Sequence, residues 1–245
     1  MKQSFCGLVS ISFREHSPDR IVRAVFDAGL NAVEWGGDVH VPHGNEEKAQ
    51  EVKTLSGKLF LPEYGSYYRI GQSDPSLFDK VLASARILGT PMIRVWAGAQ
   101  SSDRILNDDY QKAVSDARRI CLLAPETNIC LECHPQTLTD EYHTALAFLH
   151  DVGCNNLKMF WQPNQFRSHA YNMDALTALL PYLTSVHVFT WKREKRLPLY
   201  KGKAEWKEYL SLLKTAPRAY MLEFMHDDRL ETLKETAETL MEWLH

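Results

Sequence analysis

The chain has 245 residues, with 28 Lys and Arg against 31 Asp and Glu and a formal net charge of -3. That balance supplies no positive field for nucleic acid, and no apolar run is long enough to span a bilayer. Hydrophobic residues make up 44%, enough for a large core, and the length suits one α/β barrel. The cysteines, 5 in number and without framework spacing, point to free thiols in a reducing compartment, hence the cytoplasm.

The first apolar run is SFCGLVSI, residues 4–11. It is short, is followed by FREH and carries no small-residue cleavage site, so it reads as a strand and not a leader. Ser17, Pro18 and Asp19 open an amphipathic segment that runs to Ala28, and Gly29 ends it. NAVEW (31–35) follows, then Asn45 as the cap of the next helix, and KLFLPEYG (58–65). Asp74 caps and Gly89 closes the helix before MIRVWAG (92–98), and Asp108 caps the one before NICLECH (128–134). Asp140 and Gly153 bound the helix before LKMFWQP (157–163). Asp174 precedes SVHVFTW (185–191), and Asp228 follows AYMLEFM (219–225). The spacing is about thirty residues, one strand plus one helix. Eight such units without a linker-like stretch predict a single (β/α)₈ TIM barrel over residues 1–245. An open doubly wound sheet would usually carry a glycine-rich first turn, and GLVSISFREH has none.

NICLECH holds two thiols, an acid and an imidazole in five positions. On a strand, side chains alternate, so Cys130, Glu132 and His134 share one face and Cys133 takes the other. A redox CxxC cannot then close. A zinc knuckle needs a second close pair of ligands, which the sequence lacks. Both cysteines therefore read as small core residues. Glu132 is costly to bury unpaired, and near a strand's C-terminal end it faces the usual catalytic mouth. Gln162, His187 and Glu223 interrupt the next three apolar runs at the same depth. Singly, each fits an ion pair or a satisfied core histidine. Jointly, two carboxylates, an imidazole and an amide oxygen suit one divalent cation: Mn²⁺, Co²⁺, Mg²⁺ or Zn²⁺.

The order Glu132, Gln162, His187, Glu223 on strands five to eight resembles the xylose-isomerase-like TIM barrels, the sugar phosphate isomerase/epimerase superfamily. The likeness spans the chain through VEWGGDVHVPHG (33–44), YGSYYR (64–69), IRVWAG (93–98), CLECHPQTLTD (130–140), FWQPNQ (160–165), HVFTW (187–191) and LEFMHDD (222–228). Members commonly place Asp where this chain has Gln162. A neutral carbonyl there leaves the ligand set balanced against a dication, which predicts weaker metal retention and a stronger Lewis acid.

The resemblance implies proton transfer at a carbon beside a carbonyl, in a ketose, sugar phosphate or related hydroxy-carbonyl compound. Glu132 and Glu223 would be the proton-transfer pair, and isomerisation and epimerisation both remain open. Arg94, Trp96, His134, Tyr64 and Ser66 are expected around the substrate, with Tyr64 and Ser66 just after strand three. Arg94 has an alternative role as partner of Glu34, the inward acid of strand two. His40 and His43 are expected at the surface. KREKR (192–196) reads either as an anion-attracting loop or as a solvated one. Trp161, Trp191 and Trp206 offer aromatic surface for a sugar face or for the core. Endonuclease IV-type enzymes are similar in fold, but they carry Asp-x-His after strand seven, where this chain has FTWKREKRLPLYKG. A non-catalytic sugar-binding barrel is the other alternative, and a homodimer is possible.

Overall fold

A computed structural model describes residues 4–245. Eight parallel strands close into a barrel in the order β1 (Phe5–Val9), β2 (Ala32–Gly36), β3 (Glu63–Arg69), β4 (Met92–Trp96), β5 (Asn128–Glu132), β6 (Leu157–Trp161), β7 (Leu183–Val188) and β10 (Ala219–Leu222). Between β7 and β10, β8 (Thr190–Lys192) and β9 (Lys195–Leu197) form a separate antiparallel hairpin. The outer ring comprises α1 (Pro18–Asp27), α2 (Glu46–Ser56), α3 (Pro75–Leu88), α4 (Asn107–Leu123), α5 (Tyr142–Val152), α6 (His169–Leu179), α7 (Lys203–Leu213) and α8 (Leu233–Leu244). None of these is long and apolar enough to cross a membrane.

Strand alternation divides the core. Leu8, Val33, Trp35, Ile93, Ile129, Leu131, Met159, Val186 and Leu222 pack outward against the helices. Phe5, Val9, Ala32, Ala219 and Met221 form one cluster on the inward side, and Met92, Cys130 and Phe160 another. Five other inward positions are polar: Glu34, Glu63, Arg94, Glu132 and His187, all buried. Gly65 makes room for this layer. A Cβ there would lie 2.3 Å from Glu34 Oε1 and 2.7 Å from Arg94 Nη2.

Asn45 and Asp74 cap α2 and α3 as expected, accepting from Lys48 N and Ser76 N. Gly89 and Gly153 close α3 and α5 in the left-handed conformation. Four expected caps lie elsewhere. Asp108 falls inside the first turn of α4, and Asp140 instead accepts from Ser102 N. Asp174 lies within α6, whose cap is Ser168, and Asp228 precedes α8, whose N-cap is Thr232. Asp and Asn favour turns and loop bonds as readily as caps, so composition alone does not choose between these uses.

The third strand begins later than its apolar run suggests. Phe60 makes one isolated bridge to Ala32, Pro62 cannot donate to a ladder, and regular pairing resumes at Glu63. A register shift between Gly65 and Arg69 then re-aims the end of β3.

Candidate active site

Strands β5, β6, β7 and β10 deliver Glu132, Gln162, His187 and Glu223 to one point at the C-terminal mouth. His187 is fully buried. Its Nδ1 lies 3.1 Å from Gln162 Oε1, 3.4 Å from Glu223 Oε2 and 3.7 Å from Glu132 Oε1. The orientation of the Gln162 amide is fixed, because its Nε2 donates to Cys133 O at 3.0 Å and leaves Oε1 facing the imidazole. Two carboxylates, an imidazole nitrogen and an amide oxygen thus converge, and this mixed nitrogen and oxygen set fits a divalent cation.

A second layer holds these groups. His187 Nε2 donates to Glu34 Oε2 at 3.1 Å, so Nδ1 is the nitrogen left to face the cluster. Glu34 Oε1 accepts from Arg94 Nε at 2.8 Å, and Arg94 also donates through Nη1 to Glu132 Oε2. Trp96 Nε1 donates to that same Glu132 oxygen at 2.6 Å. Glu132 therefore has one oxygen fully engaged and one aimed at the cluster.

The electrostatics follow from this packing. Burial alone would raise the Glu34 carboxyl, but Arg94 and His187 outweigh it and bring it to about 2. Burial likewise opposes ionisation of Glu132, and Arg94, His187, His134 and the Trp96 N–H together hold it below the ordinary carboxylate value. Burial pulls the His187 imidazole down, while Glu223 and Glu34 lift it well above the usual histidine range. Glu63 goes the other way: burial and the neighbouring Glu34 charge push its carboxyl far up.

Above the cluster is a cavity of about 270 Å³. His134 forms part of its wall, stacked on Trp96 with ring centroids 4.4 Å apart. Its Nδ1 is 2.7 Å from Pro135 O, an acceptor, so Nδ1 carries a proton, and Nε2 has no protein partner among the described residues. Tyr67, Phe189, Trp191 and Phe224 add further aromatic lining, and Arg14 reaches its rim. Arg14 is bound to Asp38 and donates to the Tyr67 hydroxyl at 2.8 Å.

No protein-family profile matches the chain. A 3-dehydroshikimate dehydratase of Bacillus anthracis is 26% identical over 280 residues, covering 98% of this chain and 96% of that protein. Among solved structures, the probable 3-DHS dehydratase AsbF of Bacillus anthracis superposes with a TM-score of 0.80 at 21% identity, covering 98% of this chain and 99% of that one. D-psicose 3-epimerase from Clostridium cellulolyticum H10 gives 0.72 at 14% identity, with 98% of both chains covered. A xylose isomerase-like TIM barrel protein from Mycobacterium smegmatis, in complex with magnesium, gives 0.72 at 13%, covering 99% of this chain and 98% of that one. The chain has the xylose-isomerase-like TIM-barrel fold.

Within this xylose-isomerase-like barrel, Arg94, Trp96 and His134 all line the cavity. Arg94 also has the alternative role of partner to Glu34. Tyr64 and Ser66 do not reach the mouth. Tyr64 is fully buried on the helix side, donating to Val41 O at 2.6 Å and accepting from His43 Nδ1. Ser66 is buried and donates to Arg94 O at 2.6 Å. Both lie inside β3 and not after it, and Tyr67 is the residue of that segment that lines the cavity. His40 is buried rather than superficial, bonded to Ser10 Oγ and His16 O. KREKR spans the hairpin turn: Arg193 sits there at φ 53°, and Arg196 pairs with Asp228 and lies over Trp191 and Phe224. Trp161 and Trp206 are core residues. Glu63 and Tyr67 escaped the sequence reading because Pro62 displaced the start of β3. The signal available was the EYGSY alternation, which puts residues 63, 65 and 67 on one face.

Tyr64→Phe is accordingly expected to cost about 1 kcal/mol of stability through a lost buried hydrogen bond, with manganese affinity unchanged. Urea unfolding and a manganese titration of the variant check both halves. A loss of metal affinity would return Tyr64 to the mouth.

Proposed function

We propose that the chain is a metal-dependent enzyme that removes the proton beside the carbonyl of a small polyhydroxylated compound, and that the product of this step loses a hydroxyl group as water. Glu132, Gln162, His187 and Glu223 would hold one divalent cation. Bound there, a cation supplies Lewis-acid polarisation of neighbouring substrate oxygens and lowers the cost of enolate charge.

The observation that carries this reading is the asymmetry of the carboxylates and the imidazole around the cavity. Glu132 is tied through one oxygen to Arg94 and Trp96 and is held ionised, which makes it a fixed ligand and a weak base. His134 has its Nδ1 bonded to Pro135 O, which leaves Nε2 as its nitrogen without a protein partner among the described residues, and its ring is clamped against Trp96. A single base of this kind suits elimination. His134 Nε2 takes the proton from carbon, electrons move to the carbonyl oxygen, and the imidazolium then gives the same proton to the departing hydroxyl. Atoms balance as substrate to unsaturated product plus one water. The aromatic lining would suit a flat ring product. The dehydratase relative, which matches along the full length, supports the same outcome.

The isomerase or epimerase reading is the second one. It is supported by the epimerase likeness in fold and by the position of Glu223 at the mouth. It requires a proton to be returned to carbon, with Glu132 and Glu223 acting from two directions.

A single experiment separates the two. With manganese supplied, 3-dehydroshikimate should lose water and develop the ultraviolet band of an aromatic dihydroxybenzoate. A ketose that exchanges deuterium from solvent without losing water, while 3-dehydroshikimate is inert, would favour the second reading and overturn the first.

A further inference from the structure

Glu223 and Phe224 are consecutive, and both line the cavity above the four-donor cluster. An extended strand cannot do this, since neighbouring side chains point to opposite faces. β10 ends at Leu222, which packs outward, and Glu223 turns inward to the mouth. Continued alternation would send Phe224 out to the helix layer. Instead it packs against the inward cluster that includes Val9, Ile11 and Met221, and Met225 takes the outward place. The backbone makes the switch. Phe224 has φ 54°, in the left-handed region, where a bulky side chain is strained. Its N–H donates to Ser12 Oγ at 2.8 Å, which holds the turn. The other non-glycine residues with positive φ among the described residues are Gln136, Arg193 and Asp228, all polar. Arg196, paired with Asp228, lies 4.6 Å from the centre of the Phe224 ring, so the β8–β9 hairpin holds that ring in place. Strain of this kind persists where surrounding contacts over-determine it, and it gathers at ligand clamps. The turn itself does not call for a ring, since glycine would make it without strain.

We propose that Phe224 is a specificity-determining residue: the strained turn after Glu223 presents its ring to the substrate, so that the mouth selects a flat six-membered ring over a puckered one of similar size. The choice of a flat ring rests on the dehydration reading above, in which the substrate ring flattens as water leaves. The Trp191 ring stands 6.0 Å from that of Phe224 at 55°, and Tyr67 closes the cavity from β3. A planar ligand can lay its face on Phe224, while the axial groups of a puckered one hold it off. An enolate is flatter than its ketone, so this contact grows along the reaction and favours the transition state.

The test measures binding by the full chain with manganese supplied. The probes are 3,4-dihydroxybenzoate, which is flat, and quinate, a saturated ring carboxylate of similar size. The parent should bind the flat ring about 10-fold more tightly, the worth of a ring-on-ring contact. Phe224→Gly should lose that preference by weakening the flat ring alone, and Phe224→Tyr should keep it. If Phe224→Gly does not fold, Phe224→Leu, which keeps apolar bulk without a plane, should show the same loss. Comparing Phe224→Ala with Phe224→Gly reads the backbone: the glycine variant should have the higher urea midpoint, the reverse of the usual order. A role in packing alone would weaken both ligands equally. Equal binding of the two rings by the parent, binding of neither, or an unchanged preference in Phe224→Gly or Phe224→Leu would overturn the proposal. So would a higher midpoint for Phe224→Ala than for Phe224→Gly. If 3-dehydroshikimate is inert while the preference is present and falls in the variants, the dehydration reading fails and the role of Phe224 stands. If 3-dehydroshikimate is dehydrated while the parent shows no preference, the proposal fails and the dehydration reading stands.

Discussion

Arg94→Met is expected to cost about 3–5 kcal/mol of folding stability at neutral pH, the usual result of removing one partner from a buried ion pair. Arg94 is 1% exposed, and the two carboxylates it joins are 0% and 4% exposed at the side chain. Methionine fills much of the volume, so the loss comes from stranding Glu34 and Glu132 without a counter-charge. Arg94→Lys should recover little, since a single ammonium cannot reproduce the Nε and Nη1 contacts to two acids at once. The pH dependence gives the sign. In the parent chain the Glu34 carboxyl falls from 4.5 to about 2, so its contribution is complete above the unfolded value and is lost as the pH falls toward 2. The variant lacks the main source of that depression, and its deficit should shrink as acid protonates the stranded carboxylates. Urea unfolding of both proteins at neutral and acid pH measures this. A deficit that stays constant with pH would mean that Arg94 acts through packing and not through charge.

His134→Asn should retain manganese and lose about 10²–10⁴-fold in turnover, the usual contribution of a positioned general base. The two effects separate because His134 belongs to the cavity wall and not to the four-donor cluster. Asparagine keeps a polar group near Pro135 O but has no basic nitrogen. Glu223→Gln and Glu132→Gln should behave differently, weakening manganese binding and turnover together, since each removes a negative charge from the ligand set. Turnover on 3-dehydroshikimate beside a manganese titration distinguishes the cases. If His134→Asn turns over at the parent rate while metal-loaded Glu223→Gln and Glu132→Gln are both dead, the proton moves between the two glutamates, and the epimerase-like reading takes precedence.

How much of this was visible in the residues varied with the kind of signal. Repeating apolar runs and glycine stops located every barrel strand except the third, because burial on both faces leaves a run that periodicity detects. Glu132, Gln162, His187 and Glu223 could be found because each breaks such a run at the same depth. What stayed hidden depended on register. Pro62 delays the start of β3, so the apolar run places Tyr64 and Ser66 at the mouth where the folded strand places Tyr67, with Glu63 below it. Pairing is likewise set by folding. The sequence offers Arg94 a choice between Glu34 and substrate, and only the closed barrel shows it spanning Glu34 and Glu132. The free state of Cys130 and Cys133 followed from strand alternation, and all 5 cysteines are unpaired.

Binding of one cation among the four mouth donors is tested most directly by an anomalous difference map from a crystal soaked in Mn²⁺. A single peak bounded by Glu132 Oε1, Gln162 Oε1, His187 Nδ1 and the Glu223 carboxylate is expected, and no peak in crystals of His187→Ala treated in the same way. A peak lying instead between Glu34 and Glu63, or a saturating soak that leaves the mouth without one, would contradict it.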